Sequence, residues 1–118
     1  MQIDGAKIKI DKGDTDNLVF RFYNKRAPVD LTGKTFRFII KTAKEALDNT
    51  AIMDDTYQAP EADKNYITIP INTTVTDNPA TSYFWGLRMI TDGQVTTLKE
   101  GIFIIRQGTF YGAEPEEE

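Results

Sequence analysis

The 118 residues contain no cysteine and no histidine. Disulfides, thiolate zinc sites and cysteine nucleophiles are thereby excluded. So are the Ser-His-Asp and Cys-His catalytic arrangements and every histidine-ligated metal. Ser82 is the only serine. Phosphate-cradling glycine loops are missing too: neither G-x-G-x-x-G nor G-x-x-x-x-G-K occurs. No apolar run is long enough to span a bilayer, the longest being of the kind Ile102-Phe103-Ile104-Ile105. The opening residues, Met1 to Lys12, alternate charge and apolarity and form no secretory hydrophobic segment, so synthesis and folding are expected in a cytoplasm.

A surplus of charge is also missing from most of the chain. The net charge of −4 arises from 18 acids against 14 bases. Glu114, Glu116, Glu117 and Glu118 account for all of it, and without them acids and bases balance. The acidity belongs to a tail over 107–118, and residues 1–106 are expected to form one domain. No basic stripe marks a nucleic-acid surface.

What is present has the texture of an all-β protein. Short alternating runs are separated by Gly, Asp, Asn and Pro. Strands are expected near 6–10, 17–23, 34–42, 66–71, 81–91, 95–99 and 101–106, with a shorter one at 50–53. About seven strands at this spacing predict an immunoglobulin-like antiparallel β-sandwich. Period-two alternation defines its inner faces: Leu18, Phe20, Phe22; Phe36, Phe38, Ile40; Ile67, Ile69, Ile71; and Tyr83, Trp85, Leu87, Met89. Trp85 is expected to anchor the core. Asp92-Gly93 between two alternating runs predicts a tight hairpin. Asp30-Leu31-Thr32-Gly33 predicts a turn, and Glu100-Gly101 a bulge or bend. Thr42-Ala43-Lys44-Glu45 has capping-box spacing and predicts a single helical turn. Residues 54–65 read as an exposed loop.

Three patterns could carry chemistry. Asp11, Asp14 and Asp16 could offer oxygens to calcium, but the spacing is not that of an EF-hand, and a polar turn is the better reading. Asp54, Asp55, Glu61 and Asp63 could supply a carboxylate pair for glycoside hydrolysis, yet they fall in a loop-like stretch with nothing to raise one pKa. No catalytic residue, metal or cofactor is therefore assigned. The third pattern is apolar residues at positions that should face solvent: Ile39, Phe84, Ile90, Ile102 and Ile104. In an immunoglobulin-like sandwich the third, sixth and seventh strands are neighbours, so these would form one outward apolar patch. Phe84, Ile90, Ile39 and Ile104 are the candidate contact residues. This holds only if the register does not slip at Glu100-Gly101.

The order of these signals resembles a family. Lys12-Gly13-Asp14-Thr15, the strand Leu18–Phe22, Pro28-Val29-Asp30-Leu31-Thr32-Gly33 and Phe36-Arg37-Phe38 resemble the N-terminal domain of bacteriophage baseplate upper proteins. Ala80-Thr81-Ser82-Tyr83-Phe84-Trp85, Asp92-Gly93-Gln94-Val95-Thr96-Thr97-Leu98 and Gly101-Ile102-Phe103-Ile104-Ile105 are similar to its closing hairpin. The likeness covers residues 6–106. Departures are the missing glycine before the aromatic strand and the extra piece within 41–55. The resemblance implies a non-enzymatic virion structural protein of the tail, baseplate, fibre or capsid. Its expected partners are other virion proteins or copies of itself, with no nucleic acid, membrane or small-molecule substrate. The alternative is a carbohydrate-binding module for host-surface glycans, stacking sugars on Tyr57, Tyr66 or Tyr111.

Overall fold

The computed structural model describes residues 1–28, 31, 33–58 and 65–108. The strands are β1 (Gln2–Asp4), β2 (Lys7–Asp11), β3 (Asp16–Arg21), β4 (Tyr23–Asn24), β5 (Ala27–Pro28), β6 (Thr35–Lys41), β7 (Met53–Gln58), β8 (Tyr66–Ile71), β9 (Ser82–Thr91) and β10 (Gln94–Arg106). A 3₁₀ turn spans Asp48–Thr50, and the single-turn helix α1 spans Thr73–Thr76. One sheet has the order β1-β2-β10-β9-β6-β7, and β3 and β8 form a second. The small β4–β5 hairpin stands apart. The protein is an all-β sandwich.

The order is immunoglobulin-like. The strands β6, β9 and β10 take the places of C, F and G, with β7 as an added edge strand, and β3 pairs β8 as B pairs E. One pair departs from antiparallel order: β2 runs parallel to β10, with Ile8 beside Phe103 and Ile10 beside Ile105. The first long strand thus closes on the last.

The inner faces hold the residues that alternation assigns to them. Phe36, Phe38 and Ile40 of β6 are fully buried, as are Ile67, Ile69 and Ile71 of β8. Tyr83, Trp85 and Leu87 of β9 face them, while Phe20, Phe22 and Met89 pack at the margin. Each such side chain contributes roughly 1.5–3 kcal/mol on burial. Trp85 is 3% exposed and its ring lies 5.6 Å from Phe20 and 5.7 Å from Phe38. The Tyr83 hydroxyl donates to the Pro79 carbonyl at 2.7 Å, four residues upstream. That is a tyrosine corner, and Trp85, two residues on, occupies the place of the second cysteine in antibody domains. An aromatic contact between the sheets stands where a disulfide would.

Four local expectations are corrected. Residues 53–58 form β7 rather than a loop, and the proposed strand at 50–53 is displaced onto it. Thr42-Ala43-Lys44-Glu45 does not form a helix; Ala46 N–H bonds the Ala43 carbonyl in a turn leading to Asp48–Thr50. The two final strands are one, and its irregularity lies between Thr97 and Lys99, not at Glu100-Gly101. Gly101 pairs in register with Trp85, and a Cβ there would collide with the Ala6 carbonyl. The helix α1, capped by the Asn72 side chain bonding Thr74 N–H at 3.1 Å, was not anticipated. Residues Asp30 and Thr32 of the expected turn lie outside the described residues, while Gly33 has φ +80°.

Candidate functional site on the outer sheet face

Alternation sends every second residue of β6, β9 and β10 away from the core. The bulge near Leu98 shifts the alternation of β10 by one residue, so that Val95 faces out before it while beyond it Phe103 and Ile105 are buried and Ile102 and Ile104 face out. Ile102 lies opposite Phe84, and Phe84 opposite Lys41. Ile39 lies opposite Gly86, which is opposite Glu100. Phe84, Ile39 and Ile102 therefore cluster near the middle of the face. Ile104, two residues along β10, stands between Ser82 and Lys9. Ile90 is at the far end of β9, opposite Val95 and Thr35. The four predicted contact residues share one face, but Ile90 belongs to its rim. All four are half-buried, and the more exposed apolar groups are Ile102 at 39% and Val95 at 56%.

A hollow of about 160 Å³ opens over Gly86. Ile39 and Phe84 form apolar walls, and Arg37, Lys41, Lys44, Arg88, Asp48 and Glu100 surround them. Charged side chains at alternate strand positions look like ordinary solvent-facing residues, so this part of the site was not read from sequence. The Gly86 hollow had no sequence signal beyond one glycine within a strand.

The charges are unevenly matched. Arg37 donates to both Asp54 oxygens, at 2.8 and 2.6 Å, and approaches Asp48 at 3.3 Å. Asp54 is the main cause that raises the guanidinium pKa above its ordinary value. Lys41 Nζ donates to the Ala46 carbonyl at 2.8 Å and to Asp48 at 3.1 Å. The Lys41 hydrogen bond holds the Asp48 carboxyl below its usual range. Lys44 Nζ sits 5.8 Å from the Phe84 ring centroid, a cation–π contact. Arg88 lies directly opposite Arg37. Among the described residues neither Arg88 nor Lys44 has a carboxylate at ion-pair distance.

The other candidates are scattered. Asp54 and Asp55 are neighbours in β7, so they project to opposite faces and cannot flank one glycosidic bond. Asp55 accepts from the Tyr57 hydroxyl at 3.3 Å. Glu61, Asp63 and Tyr111 lie outside the described residues. Tyr57 is half-buried, and Arg21 stacks over Tyr66 at 5.4 Å on the other sheet, so the two tyrosines form no common platform. Asp11 pairs with Arg106 at 2.8 Å and Asp16 with the Met1 amine at 3.3 Å. Among the described residues no three acidic side chains converge as a metal site, and no helix is long and apolar enough to cross a membrane.

Fold and face together describe a small sandwich with half-buried apolar residues and a hollow on the outer face of its larger sheet. Comparison with protein-family models, curated proteins and solved structures finds no match to the chain.

Proposed function

We propose that this chain is a non-enzymatic structural protein of a bacteriophage virion that works by docking its larger sheet on protein neighbours. The observation that carries the docking is the outer face of β6, β9 and β10. There Ile39 and Phe84 wall a hollow, and Ile102 and Ile104 continue the apolar surface along β10, where a free-standing sheet would place polar residues. The virion setting rests on the resemblance to baseplate upper proteins. Tail, baseplate, fibre attachment and capsid are all compatible with it. The neighbours are other virion proteins or further copies, and a cysteine-free sandwich suits a particle assembled in a cytoplasm and later exposed outside it.

Phe84→Asp tests the face. Its ring is half-buried on the outer side, so the variant is expected to fold with a nearly unchanged circular dichroism spectrum and to lose association or incorporation into particles. Light scattering over a concentration series, together with capture of virion proteins, reads the outcome. A folded Phe84→Asp protein that binds as well as the parent would sink the proposal.

A further inference from the structure

We infer that the acidic segment Glu114–Glu118 of one copy docks over Gly86 on the outer sheet face of a second copy. This rests on the docking face proposed above and names its occupant. The first support is Gly86 itself. A glycine inside a long strand weakens it and marks a bulge, a bend, a crowded backbone or close approach by another chain. The β10 bulge lies between Thr97 and Lys99, beside Leu87, and Gly86 itself pairs in register with Glu100. Crowding is not the reason here. A Cβ at Gly86 would meet only ordinary contacts, with Glu100 Cγ at 3.8 Å and Ile39 Cγ2 at 3.9 Å. Nor does Gly86 have positive φ. The fold has room for a side chain and leaves the room open.

The second support is charge. Arg88 faces Arg37 across the strand pair, an unfavourable arrangement of like charges. Arg37 is neutralised by Asp54 and Asp48, and Lys41 by Asp48. Arg88 and Lys44, both exposed, flank the hollow with no carboxylate at ion-pair distance among the described residues, Asp48 acting on Arg88 only from farther off. An arriving carboxylate would satisfy them and could seat an aliphatic stem between Ile39 and Phe84. Glu100 on the β10 wall directs it toward Arg88 and Lys44. The carboxylates in surplus are those of Glu114, Glu116, Glu117 and Glu118.

Reach selects a second copy over the same one. Glu114 and Glu116 are at most roughly 22 and 29 Å of chain beyond Gly108, and only Glu117 and Glu118 extend past roughly 30 Å. Glu100 lies eight residues back along β10, roughly 27 Å, so a copy's own segment could bring at most its last residues to the hollow while a neighbour's could bring all four. A reversal would consume still more chain. A neighbour's segment has no such limit, and the contact is then head-to-tail, of the kind that builds rings or filaments.

The test uses the full chain and two variants, one with Glu114, Glu116, Glu117 and Glu118 all changed to Gln, the other Gly86→Val. Sedimentation across concentration is measured at low and high salt, with thermal melts as the check on folding. The parent is expected to associate in a salt-sensitive way. Both variants are expected to associate roughly tenfold or more weakly. Gly86→Val is expected to melt no lower than the parent. If Gly86→Val does not fold, the Gln variant decides alone. A parent that is monomeric throughout, or a Gln variant that associates like the parent, overturns the inference. In the second case Phe84→Asp separates the two readings. Loss of association there leaves the docking face standing with another occupant, and no loss removes both.

Discussion

Gly101, Ala6 and Trp85 meet at one point where three residues explain one another. The Trp85 Nε1–H donates to the Ala6 carbonyl at 2.8 Å, which satisfies the indole inside the core. That approach leaves no space at Gly101 for a Cβ. The glycine was legible in the sequence as an irregularity but not as a close contact, because its partner lies 95 residues away. The outward residues Ile39, Phe84, Ile90 and Ile104 were legible, because they break the expected polarity of a strand's solvent face. The pairing of Arg37 with Asp54, which leaves Arg88 with no carboxylate at ion-pair distance among the described residues, was not, because it depends on register between strands. Titration adds a test at this scale. Burial, aided by Asp55 beside it, pushes the Tyr57 phenol up to about 12, and burial also raises Tyr83. The unfolded chain loses its phenol protons near pH 10 while the fold still holds them. Stability present below pH 10 is thus expected to fall as pH rises from about 10 toward 12. Urea unfolding at stepped pH should show this alkaline limb. Tyr57→Phe should flatten it without abolishing it, since Tyr83 remains. An unchanged limb in Tyr57→Phe would remove Tyr57 from the account.

Elements were read well where both their faces obey one pattern. β6, β8 and β9 alternate strictly, and their observed limits fall within a residue of those expected. β7 was missed because its sequence, Met53-Asp54-Asp55-Thr56-Tyr57-Gln58, carries two adjacent acids. It is an edge strand, where charge is tolerated and discourages further pairing. The capping-box tetrapeptide fails as a helix because it has too few residues to nucleate one and must return the chain from β6 to its antiparallel neighbour β7. The helix α1 escaped notice because Thr-Thr-Val-Thr is β-branched throughout. It exists because Asn72 caps it, Val75 is buried and the Thr76 hydroxyl bonds the Asp14 carbonyl at 2.8 Å. The β4–β5 hairpin offers a test of turn chemistry. Its two loop residues, Lys25 and Arg26, have φ of 52° and 73°. Such a turn favours Asn-Gly, and each non-glycine residue held there costs roughly 1–2 kcal/mol. Lys25→Asn with Arg26→Gly is expected to stabilise the protein by about 1 kcal/mol, read as a raised urea midpoint at constant slope. The Asp92-Gly93 turn, with φ of 51° and 83°, already has nearly that chemistry.

Across the whole molecule, the two ends of the described chain hold each other in place. β2 lies on β10 in parallel, Lys12 N–H donates to the Arg106 carbonyl at 2.8 Å, and Asp11 accepts from Arg106 at 2.8 Å. Lys12 Nζ also reaches the Asp77 carbonyl at 2.6 Å, below α1. The all-β sandwich class was legible in the sequence, although ten strands form among the described residues where about seven were expected. This closure was not, because alternation identifies strands without naming their neighbours, and a parallel pair at such separation leaves no local turn to mark it. Its weight can be judged from burial. Ile8 and Ile10 are almost fully buried, and their side chains together contribute roughly 3–6 kcal/mol. Removing them would also uncover Phe103 and Ile105 and strip β10 of its outer neighbour. A domain of ordinary stability has only about 5–15 kcal/mol in total. Deletion of residues 1–11 is therefore expected to abolish cooperative unfolding, seen as loss of a sigmoidal thermal melt and collapse of amide dispersion in nuclear magnetic resonance spectra. A peptide of residues 1–12 supplied in trans should restore both by re-forming the β2–β10 pair. A truncated chain that melts cooperatively near the parent midpoint would mean that the sandwich stands without its first strands, and that β10 presents a second open edge to neighbours.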